Sequence, residues 1–231
     1  MRRRARRVAA LIALAVAAAG AEAHRDEHKP VAARPVMDFV PPPAGSYALH
    51  VIDRAPDGEV VGHDGRRHRL SEYIRGRITL LSLIYTYCTE PTGCALAYET
   101  GVEVKRRILA DKRLHGRAQF VSLSFDPLND THDSMQAYGG RNASADGPLP
   151  WHFLTTRSMR ALKPILEGFG QEIEVEQDER GRPTRTISHM LKLFLIDREG
   201  RVREIYSTAF LHPEAMLNDL RTLVMEEDER R

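Results

Sequence analysis

The sequence predicts an α/β fold, because apolar strands alternate along the chain with amphipathic helices. The apolar, β-branched run from Ile78 to Tyr87 is typical of a strand buried on both faces. Helical spacing of apolar and small residues follows from Ala95 to Leu114, and a second apolar strand runs from Ala118 to Phe125. A strand, a helix and a strand in this order form the unit from which α/β sheets are built.

The later elements continue this alternation and are bounded by capping or turn residues. They are a helix from Asp130 to Tyr138, a strand from Trp151 to Thr155, a helix from Ser158 to Phe169, a hairpin from Glu172 to Thr186 and a hairpin from Lys192 to Tyr206. Pro213 begins a final helix, and residues 46–77 are expected to add an N-terminal hairpin. This order predicts a thioredoxin-like fold with an added N-terminal β-hairpin and a hairpin inserted before His189.

Residues 1–23 have the features of an export signal. Arginines precede an uncharged run of twelve residues from Val8 to Ala19, and small residues then stand at the cleavage positions before His24. Twelve helical residues span about 18 Å, less than the ~30 Å of a bilayer core. We therefore expect cleavage and a periplasmic location, with an uncleaved anchor as the alternative. Residues 24–45 are expected to form an extended linker or arm before a domain at 46–231.

The charge of the mature chain argues against a nucleic-acid binder. The whole chain has 34 basic and 32 acidic residues, but without residues 1–23 the numbers become 29 and 31. A nucleic-acid-binding domain would keep a basic face. The two cysteines are too few for a disulfide framework or a four-cysteine zinc site.

Cys88 and Cys94 lie between the first buried strand and the helix that follows it. Because N–H groups at a helix N-terminus favour an anion, we expect a depressed pKa for Cys94, and a similar effect on Cys88. Pro91 and Gly93 allow the chain to fold back and bring the sulfurs together. A structural disulfide is the alternative, but so short a loop would stabilise little. We therefore favour a functional, redox-active pair.

His189 precedes the strand that begins at Lys192. In a thioredoxin-like sheet, the loop before that strand passes over the cysteine loop. Two thiolates and one imidazole form a soft donor set suited to Cu(I), or to Cu(II) with an added oxygen ligand. Cys88, Cys94 and His189 are therefore the candidate metal ligands.

Other residues have simpler interpretations. Met190 is expected to pack in the core as it enters a strand, with a thioether near copper as the alternative, and Trp151 is also expected in the core. Tyr85 and Tyr87 are expected at the rim of the cysteine site. The remaining folded-region histidines are expected to be solvated: His50, His63, His68, His115, His132, His152 and His212.

Four segments, YTYCTEPTGCALA, SFDPLNDT, WHFLTT and SHMLKLFLIDREGRV, occur in this order. Together they resemble the Sco/SenC family of copper-binding, thioredoxin-fold assembly factors, over roughly residues 46–226. The resemblance implies that Cys88 and Cys94 are thiolate ligands, that His189 is the imidazole ligand, and that Asp126 has a supporting role. The chain departs from the usual C-x3-C-P pattern, because its cysteines are spaced C-x5-C and Ala95 stands in the position of the proline.

The resemblance implies a metallochaperone or thiol reductant for assembly of the CuA centre of cytochrome c oxidase. The expected partner is a copper acceptor such as the CuA-bearing subunit, and contact with a membrane would come through that partner or an uncleaved N-terminus. We expect no classical enzyme activity other than thiol–disulfide exchange. Two alternatives stay open: a metal-independent extracytoplasmic thiol–disulfide oxidoreductase, which does not need His189, and a non-catalytic binding domain with a structural disulfide.

Overall fold

A computed structural model describes residues 39–230, so the predicted signal segment and the first part of the arm lie outside the described residues. The strands are β1 Asp53–Arg54, β2 Glu59–Val61, β3 Arg67–Arg69, β4 Ile78–Ile84, β5 Ala118–Ser124, β6 Trp151–Leu154, β7 Ile173–Gln177, β8 Pro183–His189, β9 Lys192–Ile196 and β10 Arg201–Ser207. The helices are α1 Ser71–Ile74, α2 Cys94–Ala110, α3 His132–Gly139, α4 Met159–Gly168 and α5 Pro213–Glu229.

The central sheet positions the loops that carry chemistry. Its strands lie in the order β1-β10-β9-β4-β5-β6, with β4, β5 and β6 parallel and β9 antiparallel to β4. The register pairs Ile84 with Ser124, so β4 and β5 end side by side. The loops that follow these two strands therefore start next to each other. The mixed sheet and its helices confirm the predicted α/β fold.

The core lies around the central strands and the first long helix. All seven residues of β5 are buried, as the apolar sequence of this strand predicts. Trp151 is buried as predicted, and its ring contacts Phe120 and Phe153. A Cβ atom on Gly101 of α2 would lie 2.8 Å from the Trp151 ring. The glycine therefore allows α2 to pack closely on the sheet.

Local capping chemistry sets the ends of the later helices. The Oγ1 atom of Thr131 accepts a hydrogen bond from the Ser134 N–H at 3.2 Å, at the start of α3. Ser158 caps α4 in the same way, accepting from the Ala161 N–H at 3.3 Å. Pro213 occupies the first turn of α5, where its missing N–H costs no hydrogen bond. These predicted helix starts are confirmed.

The cysteine segment leaves the sheet earlier than predicted. β4 ends at Ile84 rather than Tyr87, because the Cys88 N–H donates to the Tyr85 carbonyl at 3.3 Å and turns the chain. The helix begins at Cys94 itself. Both cysteines therefore border one compact loop.

The inserted hairpin is longer than predicted. β8 continues to His189, which is its last residue rather than part of a preceding loop. Met190 then lies in the short link between β8 and β9, and it is 65% exposed. The predicted core position of Met190 is wrong, because the residue falls outside both strands.

The N-terminal region contains the expected hairpin and an additional edge strand. β2 pairs with β3, whereas β1 joins the central sheet beside β10. Before β1, the Gly45 N–H donates to Thr222 Oγ1 at 2.9 Å, and Asn218 Nδ2 donates to the Pro42 carbonyl at 2.9 Å. These bonds attach the end of the arm to α5. Of the helices between residues 39 and 230, none has the length and apolar character that crossing a membrane requires.

Candidate metal centre

A buried carboxylate joins the two loops that follow β4 and β5. Asp130 is 1% exposed and accepts hydrogen bonds from the Thr86 N–H at 2.9 Å, from the Thr86 hydroxyl, and from Ser124 Oγ at 2.6 Å. Burial raises the pKa of Asp130, and these three donors act against that shift. The start of the cysteine loop is thereby held against the end of β5.

Asp126 has contacts of the structural kind expected for it. It is 5% exposed and accepts hydrogen bonds from the Asn129 amide at 3.0 and 2.8 Å, within its own turn. The bonds between the two loops come instead from Asp130, for which the sequence predicts only a helix cap, and Thr131 alone provides that cap. The repeated aspartate of SFDPLNDT is the sequence signal, but a local pattern does not indicate which carboxylate bonds to the cysteine loop.

Two successive turns fold the C-x5-C loop. The Cys88 N–H donates to the Tyr85 carbonyl, and the Gly93 N–H donates to the Glu90 carbonyl at 3.0 Å. Thr92 Oγ1 also donates to the Glu90 carboxylate at 2.8 Å. A Cβ atom on Gly93 would lie 3.1 Å from the Cys88 sulfur, which is closer than an ordinary contact. A larger residue at position 93 would therefore have to displace the Cys88 side chain by a few tenths of an ångström.

The pKa values of the two cysteines are shifted in opposite directions. A hydrogen bond from the Cys94 side chain lowers the pKa of Cys88 to about 6, against the opposing effect of burial, with help from the backbone N–H groups of Cys94 and Glu90. Burial raises the pKa of Cys94, which is 1% exposed, and the hydrogen bond and charge of Cys88 raise it further. Cys88 is therefore the thiolate of the pair, and Cys94 its proton donor.

The expectation of a depressed pKa for Cys94 is thus wrong. It rested on the position of Cys94 at the N-terminus of α2. Desolvation outweighs the helix field at a sulfur that is almost fully buried, and the backbone N–H of Cys94 serves the Cys88 sulfur.

His189 presents one ring nitrogen to the cysteines. Its Nδ1 lies 3.0 Å from the Ile187 carbonyl, which only accepts, so Nδ1 carries the proton. The other ring nitrogen, Nε2, lies 4.0 Å from the Cys94 sulfur. The rings of Phe125 and Tyr85 pack on the imidazole, with centroid distances of 4.7 and 5.8 Å. The backbone bond and the aromatic contacts fix the orientation of the ring.

Two tyrosines connect the cysteine loop to β8. The Tyr85 hydroxyl accepts from the Ile187 N–H at 3.4 Å, and burial raises the pKa of this tyrosine to about 12. The Arg185 guanidinium lies over the Tyr87 ring, 4.2 Å from its centroid. Tyr85 is buried and Tyr87 is 41% exposed, so only Tyr87 lies at the rim.

The donor set fits a soft metal ion, although it is hydrogen-bonded in this structure. Within residues 39–230, no three His, Cys, Asp or Glu side chains form a ready-made cation site. With zinc distances of about 2.3 Å to sulfur and 2.0 Å to nitrogen as a guide, two donors of one ion lie at most ~4.3 Å apart. The 4.0 Å between Cys94 and His189 is within that limit. Neither cysteine is in a disulfide, and metal binding through both sulfurs requires loss of the Cys94 proton.

The other histidines do not join this site. His50 and His63 are exposed, as expected, but His152 is 9% exposed, its pKa is lowered to about 4 by burial, and its ring contacts Tyr73 at 4.9 Å. The prediction of a solvated His152 is wrong, because β6 carries it into the interior. His212 caps α5 by accepting from a backbone N–H.

The fold is similar to that of several solved proteins. ScoI of Bradyrhizobium japonicum, solved with copper bound, is 19% identical, with a TM-score of 0.57 over 73% of this chain and 98% of that chain. A SCO1/SenC family lipoprotein from Bacillus anthracis is 21% identical, with a TM-score of 0.60 over 76% and 99%. BsSco, described as a Sco family cytochrome c oxidase assembly protein with a disulfide switch, is 19% identical, with a TM-score of 0.55 over 77% and 98%.

These similarities confirm the predicted thioredoxin-like fold. No functionally curated protein matches the sequence. The family model described as SCO1/SenC matches residues 56–225, a range that includes Cys88, Cys94 and His189. The chain therefore belongs to the SCO1/SenC family.

Proposed function

We propose that this chain is an exported copper-binding protein that takes part in assembly of the CuA centre of cytochrome c oxidase, as a metallochaperone or a thiol reductant. Family membership supports the proposal, as do the copper bound to ScoI and the description of BsSco as an assembly protein. Copper is the cargo in this proposal. The observation that best supports it is the 4.0 Å distance between His189 Nε2 and the Cys94 sulfur, beside the more acidic Cys88.

Each of the three residues has its own role in binding. Cys88 is ionised above about pH 6 and makes the first bond to an arriving ion. Cys94 loses its proton as it becomes the second thiolate ligand. His189 supplies a neutral nitrogen, and its hydrogen bond to the Ile187 carbonyl keeps that nitrogen directed at the pair. Bound copper supplies a soft Lewis acid that passes to a partner by exchange of ligands.

The same pair is suited to thiol–disulfide exchange. The Cys88 thiolate attacks a partner disulfide, and one partner sulfur leaves as a thiolate. The negative charge of Cys88, which raises the pKa of Cys94, is then lost. Cys94 gives up its proton and attacks the Cys88 sulfur, so the partner leaves with two thiols and this chain keeps a disulfide. The partner gains the two electrons that this chain loses.

A copper titration of the reduced chain tests the proposal. We expect one copper per chain, with sulfur neighbours in X-ray absorption, and loss of tight binding in the Cys88→Ser/Cys94→Ser chain. Asp64→Ala, which removes a ligand-type residue far from the cysteines, is the matched control and should bind normally. Only oxygen and nitrogen neighbours around the bound copper would contradict the proposal.

The acidity of Cys88 favours metal-independent thiol–disulfide exchange as a second candidate function. Thiol counting after mild oxidation, and reduction of a disulfide peptide by the wild-type and His189→Ala chains, separate the two. A chaperone loses copper affinity on loss of His189, whereas a pure oxidoreductase keeps its peptide activity and shows no tight copper binding at all. Two titratable thiols persisting in the folded, oxidant-treated chain would exclude the redox role.

Export is part of the proposal and rests on the pattern of residues 1–23. The expected mature N-terminus is near His24, in the periplasm. N-terminal sequencing of the chain from cell fractions tests this, and an intact precursor in the cytosol would contradict it.

A further inference from the structure

A groove of about 1220 Å³ opens beside His189, between α4 and the β7–β8 hairpin. His189 and Met190 line it from the end of β8, and Met159, the first residue of α4, lines it from the helix. The groove therefore connects solvent with the imidazole of the candidate site.

Thioethers are concentrated in this groove. The described residues include three exposed methionines, Met159, Met190 and Met225, which are 38%, 65% and 45% exposed. The first two line the groove, whereas Met225 belongs to α5. A methionine that is two-thirds exposed adds little to a core, so packing does not account for Met190.

The backbone of Met190 is fixed while its side chain is free to move. Gln171 is 5% exposed, and its Nε2 donates to the Met190 carbonyl at 3.1 Å and to the Glu172 carbonyl at 3.0 Å. Adjacent Cα atoms lie about 3.8 Å apart, and methionine has three rotatable side-chain bonds. Because Met190 and His189 both line the groove, rotation about these bonds can bring the thioether and the imidazole together.

We propose that Met190 is a transient thioether ligand of Cu(I), and that with His189 it forms a soft site through which the ion passes between the groove and the two cysteines. The inference rests on the proposed function and extends it to the route of the metal. Thioether and imidazole donors both bind Cu(I), and a neutral pair holds it less tightly than two thiolates do. A weak site next to a strong one is suited to loading and release.

The transfer is an exchange of ligands without a change of oxidation state. The bond from Cu(I) to the Met190 sulfur breaks as bonds to the Cys88 and Cys94 sulfurs form. Cys88 arrives as a thiolate, and Cys94 releases one proton to solvent. Delivery to a partner reverses these steps, and Cys94 then recovers a proton.

The first test measures the rate at which the copper-loaded full chain gives Cu(I) to bathocuproine disulfonate. Met190→Leu keeps the side-chain volume and removes the sulfur, and Met225→Leu is the matched control. We expect transfer about tenfold slower for Met190→Leu, equivalent to a barrier about 1.4 kcal/mol higher. The control should stay within about twofold of wild type. Equal rates for Met190→Leu and wild type would overturn the proposal.

The second test separates this inference from the proposed function. Ag(I), a redox-inactive probe for Cu(I) sites, is added to the Cys88→Ser/Cys94→Ser chain carrying ¹³C-labelled methionine methyl groups. We expect the Met190 methyl resonance to shift, the Met225 resonance to stay, and the Met190 shift to disappear when His189→Ala is added. Unchanged Met190 resonances would overturn the inference. If the Met190 resonance shifts in this variant but the wild-type chain binds no copper in the titration, the proposed function fails and the inference about Met190 stands.

Discussion

Two histidine environments in this protein differ in what the ring nitrogens do. His189 uses Nδ1 to bind the Ile187 carbonyl and keeps Nε2 directed at the Cys94 sulfur. His68, near the β2–β3 turn, lies between two carboxylates, with Nε2 at 3.0 Å from Asp64 and Nδ1 at 3.1 Å from Glu72. One histidine has a nitrogen for a ligand, and the other has both nitrogens occupied.

The surroundings of a histidine decide its use. The hydrogen bond from His68 to Glu72 raises the pKa of His68, with further help from Asp64, and each of its ring nitrogens faces a carboxylate. The stability that this pair contributes is present at low pH and is lost as the pH rises through the raised pKa. His189 has a carbonyl and two sulfurs around it instead, which suits a neutral ligand.

The sharpest test of the comparison replaces each histidine in turn. We expect His189→Ala to weaken Cu(I) binding by more than about 100-fold, because losing a direct ligand exceeds the 10–100-fold cost of losing a supporting contact. His68→Ala should leave the affinity within about threefold, since both nitrogens of that ring are hydrogen-bonded to carboxylates. Competition titrations against a Cu(I) chelator measure both affinities. Similar losses in the two variants would contradict the conclusion that His189 is a ligand and His68 is not.

Replacing the buried carboxylate of Asp130 should lower the folding stability more than replacing the exposed carboxylate of Asp64. Asp130→Ala leaves the Thr86 N–H and the buried Ser124 hydroxyl without their acceptor, and we expect a loss of about 2 kcal/mol in the free energy of unfolding. Asp64→Ala removes a solvent-exposed partner of His68 and should cost less than Asp130→Ala, because water screens exposed ion pairs. Urea unfolding of both full chains gives the two values. A larger loss for Asp64→Ala would contradict the ranking.

The acidity of Cys88 should depend on the donor at position 94. In the wild-type chain the alkylation rate of Cys88 should rise through a pKa of about 6. Cys94→Ala removes the donor, so the inflection should move toward the ordinary value of about 8.5. Cys94→Ser keeps a hydroxyl donor and should stay closer to wild type. Coincident pH profiles for the two variants would show that Cys94 does not set the acidity.

The same shift predicts the pH dependence of folding stability. The pKa of Cys88 is lower in the folded chain, so the stabilisation is complete above the unfolded value of about 8.5 and is lost as the pH falls toward about 6. This part of the pH dependence should be weaker in Cys94→Ala, because that variant lacks the hydrogen bond responsible for it.

The smallest expected effect concerns the contact between β8 and the cysteine loop. Arg185→Gln removes the cation above the Tyr87 ring, a contact worth about 0.5–1 kcal/mol at an exposed site. We expect the amides of β8 to exchange with solvent about two- to fivefold faster, because the strand opens more often. Arg141→Gln, which changes an exposed arginine elsewhere, is the control. Unchanged exchange in Arg185→Gln would show that Arg185 does not hold β8 against the loop.

Much of the fold could be predicted from the sequence, because strands and helix starts are marked by residues that lie close together in the chain. The apolar runs of β4 and β5 identify buried strands, Thr131 and Ser158 mark helix starts, and Pro213 marks the last helix. Each of these signals acts over a few residues of chain. β8 was predicted to be too short. Residues just before His189 pair with β7, although their polar sequence gives no sign of a strand.

The sequence alone predicts the residues of the candidate site: two cysteines between a strand and a helix, and a histidine ahead of another strand. The acidity of each cysteine, the orientation of the histidine ring and the exposure of Met190 come from the three-dimensional packing. The reason is that these properties depend on desolvation and on partners that are distant in sequence. Cys94 and His189 are 95 residues apart in the chain, and only the packing of β4, β8 and α2 brings them to 4.0 Å.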